Sequence, residues 1–121
     1  MDKIKQRIGE LNKELLSLRR DFHKHPELGF EEHRTAGVIE AYLKELGLEP
    51  RRMAQTGVVA CLEGSRPAPV LMLRADMDAL PVQEVEGRAY GSTVAGKMHA
   101  CGHDGHMAML VGVARRLAAR R

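Results

Sequence analysis

Val70-Leu71-Met72-Leu73-Arg74-Ala75-Asp76-Met77-Asp78 decides how the chain is read. Its first four residues are all apolar, as in a strand buried on both faces of a sheet. The run then stops at two aspartates. Open α/β sheets place their sites at the carboxyl ends of such strands. Working outward, Gly57 to Glu63 forms a second apolar run, separated from the first by Gly64-Ser65-Arg66-Pro67-Ala68-Pro69. The two runs predict a hairpin. Cys61 then reads as a small core hydrophobe.

On the amino-terminal side, Ile4, Ile8, Leu11, Leu15, Leu18 and Phe22 recur at spacings of four and three. That period predicts an amphipathic helix over about residues 2–23. Pro26 disfavours helical backbone at His25. His23 and His25, two histidines beside a proline, read as polar surface rather than metal ligands. A second helix is expected over about residues 32–46, with Ala36, Ile39, Leu43 and Leu46 as its apolar stripe. Gly47 is placed to end it.

On the carboxyl-terminal side, residues 79–97 contain Pro81, Gly87, Gly91 and Gly96 and predict a long loop. Loops of that length in compact domains are usually functional. The loop runs into Met98-His99-Ala100-Cys101-Gly102-His103-Asp104-Gly105-His106, the densest run of metal-capable side chains in the chain. A last helix is predicted over about residues 104–119, with His106, Leu110, Val113 and Leu117 on one stripe and Asp104 near its start.

Cys101 and His103 are two apart, and on a regular helix such residues point away from each other. They can converge on a metal only from a turn before the helix, which Gly102 and Gly105 permit. Thiolate and imidazole suit a first-row divalent ion such as zinc, and a helix amino terminus favours the thiolate. A closed zinc knuckle needs four ligands, generally with a second Cys pair. The chain has only Cys61 and Cys101, too few for a disulfide framework.

Composition narrows the function classes. The 121 residues are 44% hydrophobic and 29% charged, with net charge +3, as in a single soluble globular domain. Aromatics make up 3%, too few for base stacking, and Arg115, Arg116, Arg120 and Arg121 suit a helix carboxyl terminus better than nucleic acid. Seven methionines read as core filling. No apolar run is long enough to span a membrane, and the charged amino terminus is not a signal peptide. The expected location is cytoplasmic.

Leu73 to Pro81 and Met98 to His106, with His25-Pro26-Glu27-Leu28-Gly29-Phe30-Glu31-Glu32, together resemble the amidohydrolase branch of the M20 metallopeptidase family. The resemblance implies an α/β fold: a three-layer α/β/α catalytic domain of zinc-peptidase type with a mixed sheet. Residues 1–121 would be only its amino-terminal part, and the lid or dimerisation domain would be absent. It also implies two divalent metals (zinc, manganese, nickel or cobalt), a small N-acyl amino acid or peptide substrate, and a homo-oligomer without nucleic-acid or membrane partners.

By the resemblance, Cys101 and His103 match metal-ligand positions. Asp78 matches an aspartate that supports the metals from behind. Asp76 falls where the wider family has a ligand histidine that this branch lacks, so it is not assigned as a ligand. Met107 stands where a smaller or polar residue is expected. The family's general base is one Glu of a Glu-Glu pair, followed by further ligand histidines. After His106 the only ionisable side chains are arginines, so the 121 residues alone are expected to be inactive. Truncation would expose apolar surface and favour association. The competing readings are a non-catalytic metal-binding module and an interaction protein built on the first helix.

Overall fold

A computed structural model describes residues 2–120. Three helices and one small sheet follow in the order α1 (Asp2–Lys24), α2 (His33–Glu45), β1 (Arg51–Met53), β2 (Gly57–Val59) and α3 (His103–Ala118). All three expected helices are present, each within about two residues of its predicted bounds. Arg121 of the basic carboxyl-terminal group lies outside the described residues.

Local chemistry explains the helix ends. α2 starts under a carboxylate from outside the helix. Glu27 accepts from the Arg34 amide at 3.0 Å, the Thr35 amide at 2.7 Å and the Thr35 hydroxyl at 2.7 Å. These two amides belong to the first turn, which has no intrahelical partners of its own. Burial pushes the Glu27 carboxyl up, but the hydrogen bonds from Thr35 and Arg34 outweigh it and hold the group below the ordinary glutamate value. At the other end Gly47 has φ +77°. Its amide bonds the Lys44 carbonyl at 2.9 Å, and the Leu48 amide bonds the Leu43 carbonyl at 3.1 Å. This is a Schellman stop, with Leu48 folding back beside Leu43 in the core.

The core joins α1, α2 and α3 through Phe22, Ile39, Leu43, Leu48 and Met107. Met107, the departure from the family pattern, is therefore a core residue. α3 crosses α1 closely at Gly112, where an added Cβ would sit 2.8 Å from Leu15 Cδ1. Arg115 reaches across to Glu14 and to the Tyr42 hydroxyl, so it ties α3 to α1 and α2 rather than merely offsetting the dipole of its own helix.

The apolar stripes differ from expectation in two helices. In α3 the buried face is Asp104, Met107, Ala108, Val111 and Gly112. Val113 and Leu117 of the predicted stripe are exposed, as is His106. In α1 the predicted stripe is buried only towards its carboxyl end: Phe22 is in the core, whereas Ile4 and Ile8 are exposed. α1 is longer than the layer it packs on.

The predicted hairpin between residues 57–63 and 70–76 does not form. β2 pairs instead with β1, with Arg51 opposite Val59 and Met53 opposite Gly57. Leu80 and Met98 form an isolated antiparallel bridge. Val70, Leu71 and Met72 are 86%, 79% and 83% exposed, and Cys61 is exposed rather than core. The physical reason is that strand hydrogen bonds are made between segments. A central strand needs a neighbour on each side; Ala60, Leu62 and Ala75 pack against the core, but none of the described residues pairs as a strand with residues 60–76. The predicted three-layer arrangement is thus present as helices with a small antiparallel sheet, an α/β fragment.

Candidate metal centre

The turn before α3 sets the geometry. Gly102 is the residue before the helix, at φ +82° in the left-handed region, which side chains with a Cβ rarely adopt. Its carbonyl accepts from the Gly105 and His106 amides at 3.1 and 3.2 Å, starting the first turn. Cys101 precedes it as a free, exposed thiol, and His103 opens the helix.

The structure brings His103 and Asp78 together. His103 Nδ1 lies 3.0 Å from both the Asp78 backbone carbonyl and Asp78 Oδ1. An Nδ1–H donated there leaves Nε2 with its lone pair free, the arrangement that carboxylate-supported metal-binding histidines use. Asp76 Oδ2 stands 3.9 Å from that Nε2 while pairing with Arg74. Cys101 is beside this pair in the chain. His106 does not join it with a polar contact; its ring lies 5.9 Å from that of His103. His25 Nδ1 donates to the Asp21 carbonyl, 2.9 Å away, at the end of α1. Its role there is structural.

The donor set fits part of a metal site. One exposed thiol and one oriented imidazole suit a divalent first-row ion. No group of three or more metal-capable side chains converges among the described residues. Cys101 and His103 would hold the ion from one side, and Asp78 would orient His103.

Two features escaped the sequence reading. The first is His23, which is buried rather than on the surface. Its Nδ1 lies 2.7 Å from Asp104 Oδ2 and its Nε2 lies 2.9 Å from Glu84 Oε1. Arg19 Nε also reaches Asp104 Oδ2, at 2.9 Å. Burial pushes both carboxyls up. For each, the His23 hydrogen bond together with a backbone amide outweighs it, Ser92 serving Glu84 and Gly105 serving Asp104. Both groups stay below their ordinary values. Tyr90 packs edge-on against the His23 ring at 5.6 Å. Asp104 is thus not only a helix-entry residue but the fully buried centre of an ion cluster. Helical periodicity could have shown that Asp104 falls three residues before Met107 on the buried face; nothing local marks Glu84.

The second feature is His99, only 3% exposed, whose two ring nitrogens have no hydrogen-bond partner among the described residues. Burial pushes this imidazole below the ordinary histidine value, against the pull of the Asp104 carboxylate. His99 is therefore a buried, neutral ring within the Met98–His106 stretch.

Residues 72–121 match the model of peptidase family M20/M25/M40. The chain belongs to the M20 peptidase family. It is 45% identical over 115 residues to an N-acyl-L-amino acid amidohydrolase of Geobacillus stearothermophilus, covering 94% of this chain and 31% of that protein. It is 41% identical over 114 residues to thermostable carboxypeptidase 1 of Saccharolobus solfataricus, covering 93% and 29%. The crystal structure of a dinuclear metal-binding M20 peptidase from Bacillus subtilis superposes with a TM-score of 0.88 at 43% identity, covering 93% of this chain and 32% of that one. The M20 chain thus spans about a third of the length of the relatives it matches. The α/β assignment and the family resemblance both hold.

Proposed function

We propose that these residues form the amino-terminal part of the catalytic domain of an M20 metal-dependent amidohydrolase. The substrate class is N-acyl amino acids or small peptides. The observation that carries the reading is the His103–Asp78 pair beside the free thiol of Cys101, with both His103 contacts at 3.0 Å.

Bound divalent ions supply polarisation of the amide carbonyl and acidification of a water. The chain's own contribution is to bind and orient. Cys101 would give its sulfur from the turn before the helix. His103 gives Nε2, with Asp78 fixing its tautomer and its ring plane. No carboxylate of α3 faces this pair: Asp104 is turned inward to His23 and Arg19. Asp76, the carboxylate near His103 Nε2, is paired with Arg74, and loading the 121 residues with zinc or manganese is expected to give no hydrolysis of N-acyl amino acids above the background of the free ions. Turnover comparable with that of an intact relative would contradict this.

The positive test is a chimera. This chain replaces the matching third of the Geobacillus stearothermophilus amidohydrolase. The chimera is expected to hydrolyse N-acyl amino acids, and Cys101→Ser or His103→Ala to lower kcat/KM at least a hundredfold while leaving the fold intact. A folded chimera in which both substitutions leave kcat/KM unchanged would overturn the assignment.

No helix of the described residues is long and apolar enough to cross a membrane.

A further inference from the structure

The end of α1 grips every segment that surrounds the candidate metal centre. His23 holds Asp104, the residue after His103, at 2.7 Å and Glu84 of the long loop at 2.9 Å. The Lys24 carbonyl accepts from the Thr93 amide at 2.9 Å and from the Thr93 hydroxyl at 2.6 Å. The Glu27 carbonyl accepts from the amide of Ala79, the residue after Asp78, at 2.8 Å. Five residues, His23 to Glu27, therefore fix both sides of the His103–Asp78 pair: the Asp104 side through a side chain and the Ala79 side through the backbone.

We propose that His23 is a positioning residue for the metal-binding turn, acting through Asp104 and Glu84; the proposal rests on the reading of Cys101 and His103 as ligands. Both ring nitrogens of His23 face carboxylate oxygens. Carboxylate oxygens accept, so each ring nitrogen that carries a proton donates to one of them. Such charge-assisted bonds are short and directional. Arg19 contributes a positive charge to Asp104, and Arg88 lies 3.8 Å from Glu84. The Tyr90 ring closes the side of the cluster.

Direction matters because of where Asp104 sits. It is in the first turn of α3, where the amides of Gly105 and His106 bond back to the Gly102 carbonyl. Pinning Asp104 inward fixes the rotation of this turn about the helix axis. That rotation decides where Cys101 and the His103 ring point. A glutamine at position 23 can donate at only one end, so the turn would keep its helix but lose its fixed rotation.

The test compares the 121-residue chain with His23→Gln and Glu84→Gln, all in a Cys61→Ser background so that Cys101 is the only thiol. Two readouts are taken. The first is site-resolved amide hydrogen exchange without metal. His23→Gln is expected to speed exchange of the Gly105 and His106 amides at least tenfold, while the Gly47 and Leu48 amides at the end of α2 keep their rates. The second is cobalt(II) titration followed by the thiolate charge-transfer absorbance. His23→Gln is expected to weaken cobalt binding about ten- to a hundredfold, the usual range for losing an outer support of a metal ligand. Glu84→Gln should move both readouts in the same direction by less, and it serves alone if His23→Gln does not fold.

Unchanged exchange at Gly105 and His106, or an equal rise throughout the chain, would overturn the positioning role. Unchanged cobalt affinity in both folded variants would overturn it as well. A parent chain with no thiolate–cobalt band sinks the ligand reading instead, and the exchange pattern still decides whether His23 holds the turn.

Discussion

Two regions of this M20 chain behave in opposite ways. The Met98–His106 turn and the helix that follows are locked in place by partners from α1 and the long loop. The Val70–Leu73 run, only a few residues from Asp78, lies in the open with its side chains exposed. The helix satisfies its backbone internally, so it needs only one covered face. The strand-like run needs other segments for every backbone hydrogen bond, and β1 and β2 pair only with each other. Local elements thus form from what this chain contains, while a central strand records an environment that the described residues do not provide.

The largest expected effect probes the locked region. Asp104→Ala removes the carboxylate that both His23 and Arg19 contact and leaves His23 Nδ1 buried without its partner. Breaking a buried pair in this way typically costs about 3–5 kcal/mol. Urea denaturation should show a loss of that size, and a loss under 1 kcal/mol would mean that the cluster is not what secures α3.

Gly112→Val comes next. Its Cβ would collide with Leu15 at 2.8 Å, and overpacking of this kind costs about 1–3 kcal/mol. A thermal melt should fall accordingly. A rise would show that the α1–α3 crossing is looser than its geometry.

Acid should weaken the locked region. Glu84 is held below the ordinary glutamate value of 4.5. A carboxyl depressed in the folded chain contributes stability that is fully present above its unfolded value and is lost as pH falls through the folded one. Stability should therefore decline as pH drops below about 4.5, and Glu84→Gln should flatten that decline while lowering stability at neutral pH. An unchanged acid slope in this variant would remove Glu84 from the explanation.

The smallest effect belongs to the open region. Leu71→Asp should change the unfolding free energy by less than about 0.5 kcal/mol, because the side chain touches little. It should also reduce self-association measured by light scattering, since exposed apolar runs are sticky. A loss of more than 1 kcal/mol would show that the run is packed after all.

The contrast also explains what could be read in advance. Helix bounds and the Gly47 stop were legible because their causes lie within a few residues: a period of three and four, a proline, a glycine with positive φ. Family motifs mark Cys101, His103 and Asp78 together, and of these His103 and Asp78 meet. His23 was misjudged because its partners are 61 and 81 residues away, beyond any local pattern. Cys61 and the 70–76 run were misjudged for a different reason: their apolar character is real, but burial depends on neighbouring strands that the described residues lack.

The central claim is that the turn at the start of α3 is a metal-binding turn. X-ray absorption at the zinc edge on the zinc-loaded Cys61→Ser chain tests it most directly. One sulfur scatterer is expected at ~2.3 Å and nitrogen or oxygen scatterers at ~2.0–2.1 Å, with the sulfur lost in Cys101→Ser. A spectrum with only nitrogen and oxygen, or one that Cys101→Ser leaves unaltered, would contradict it.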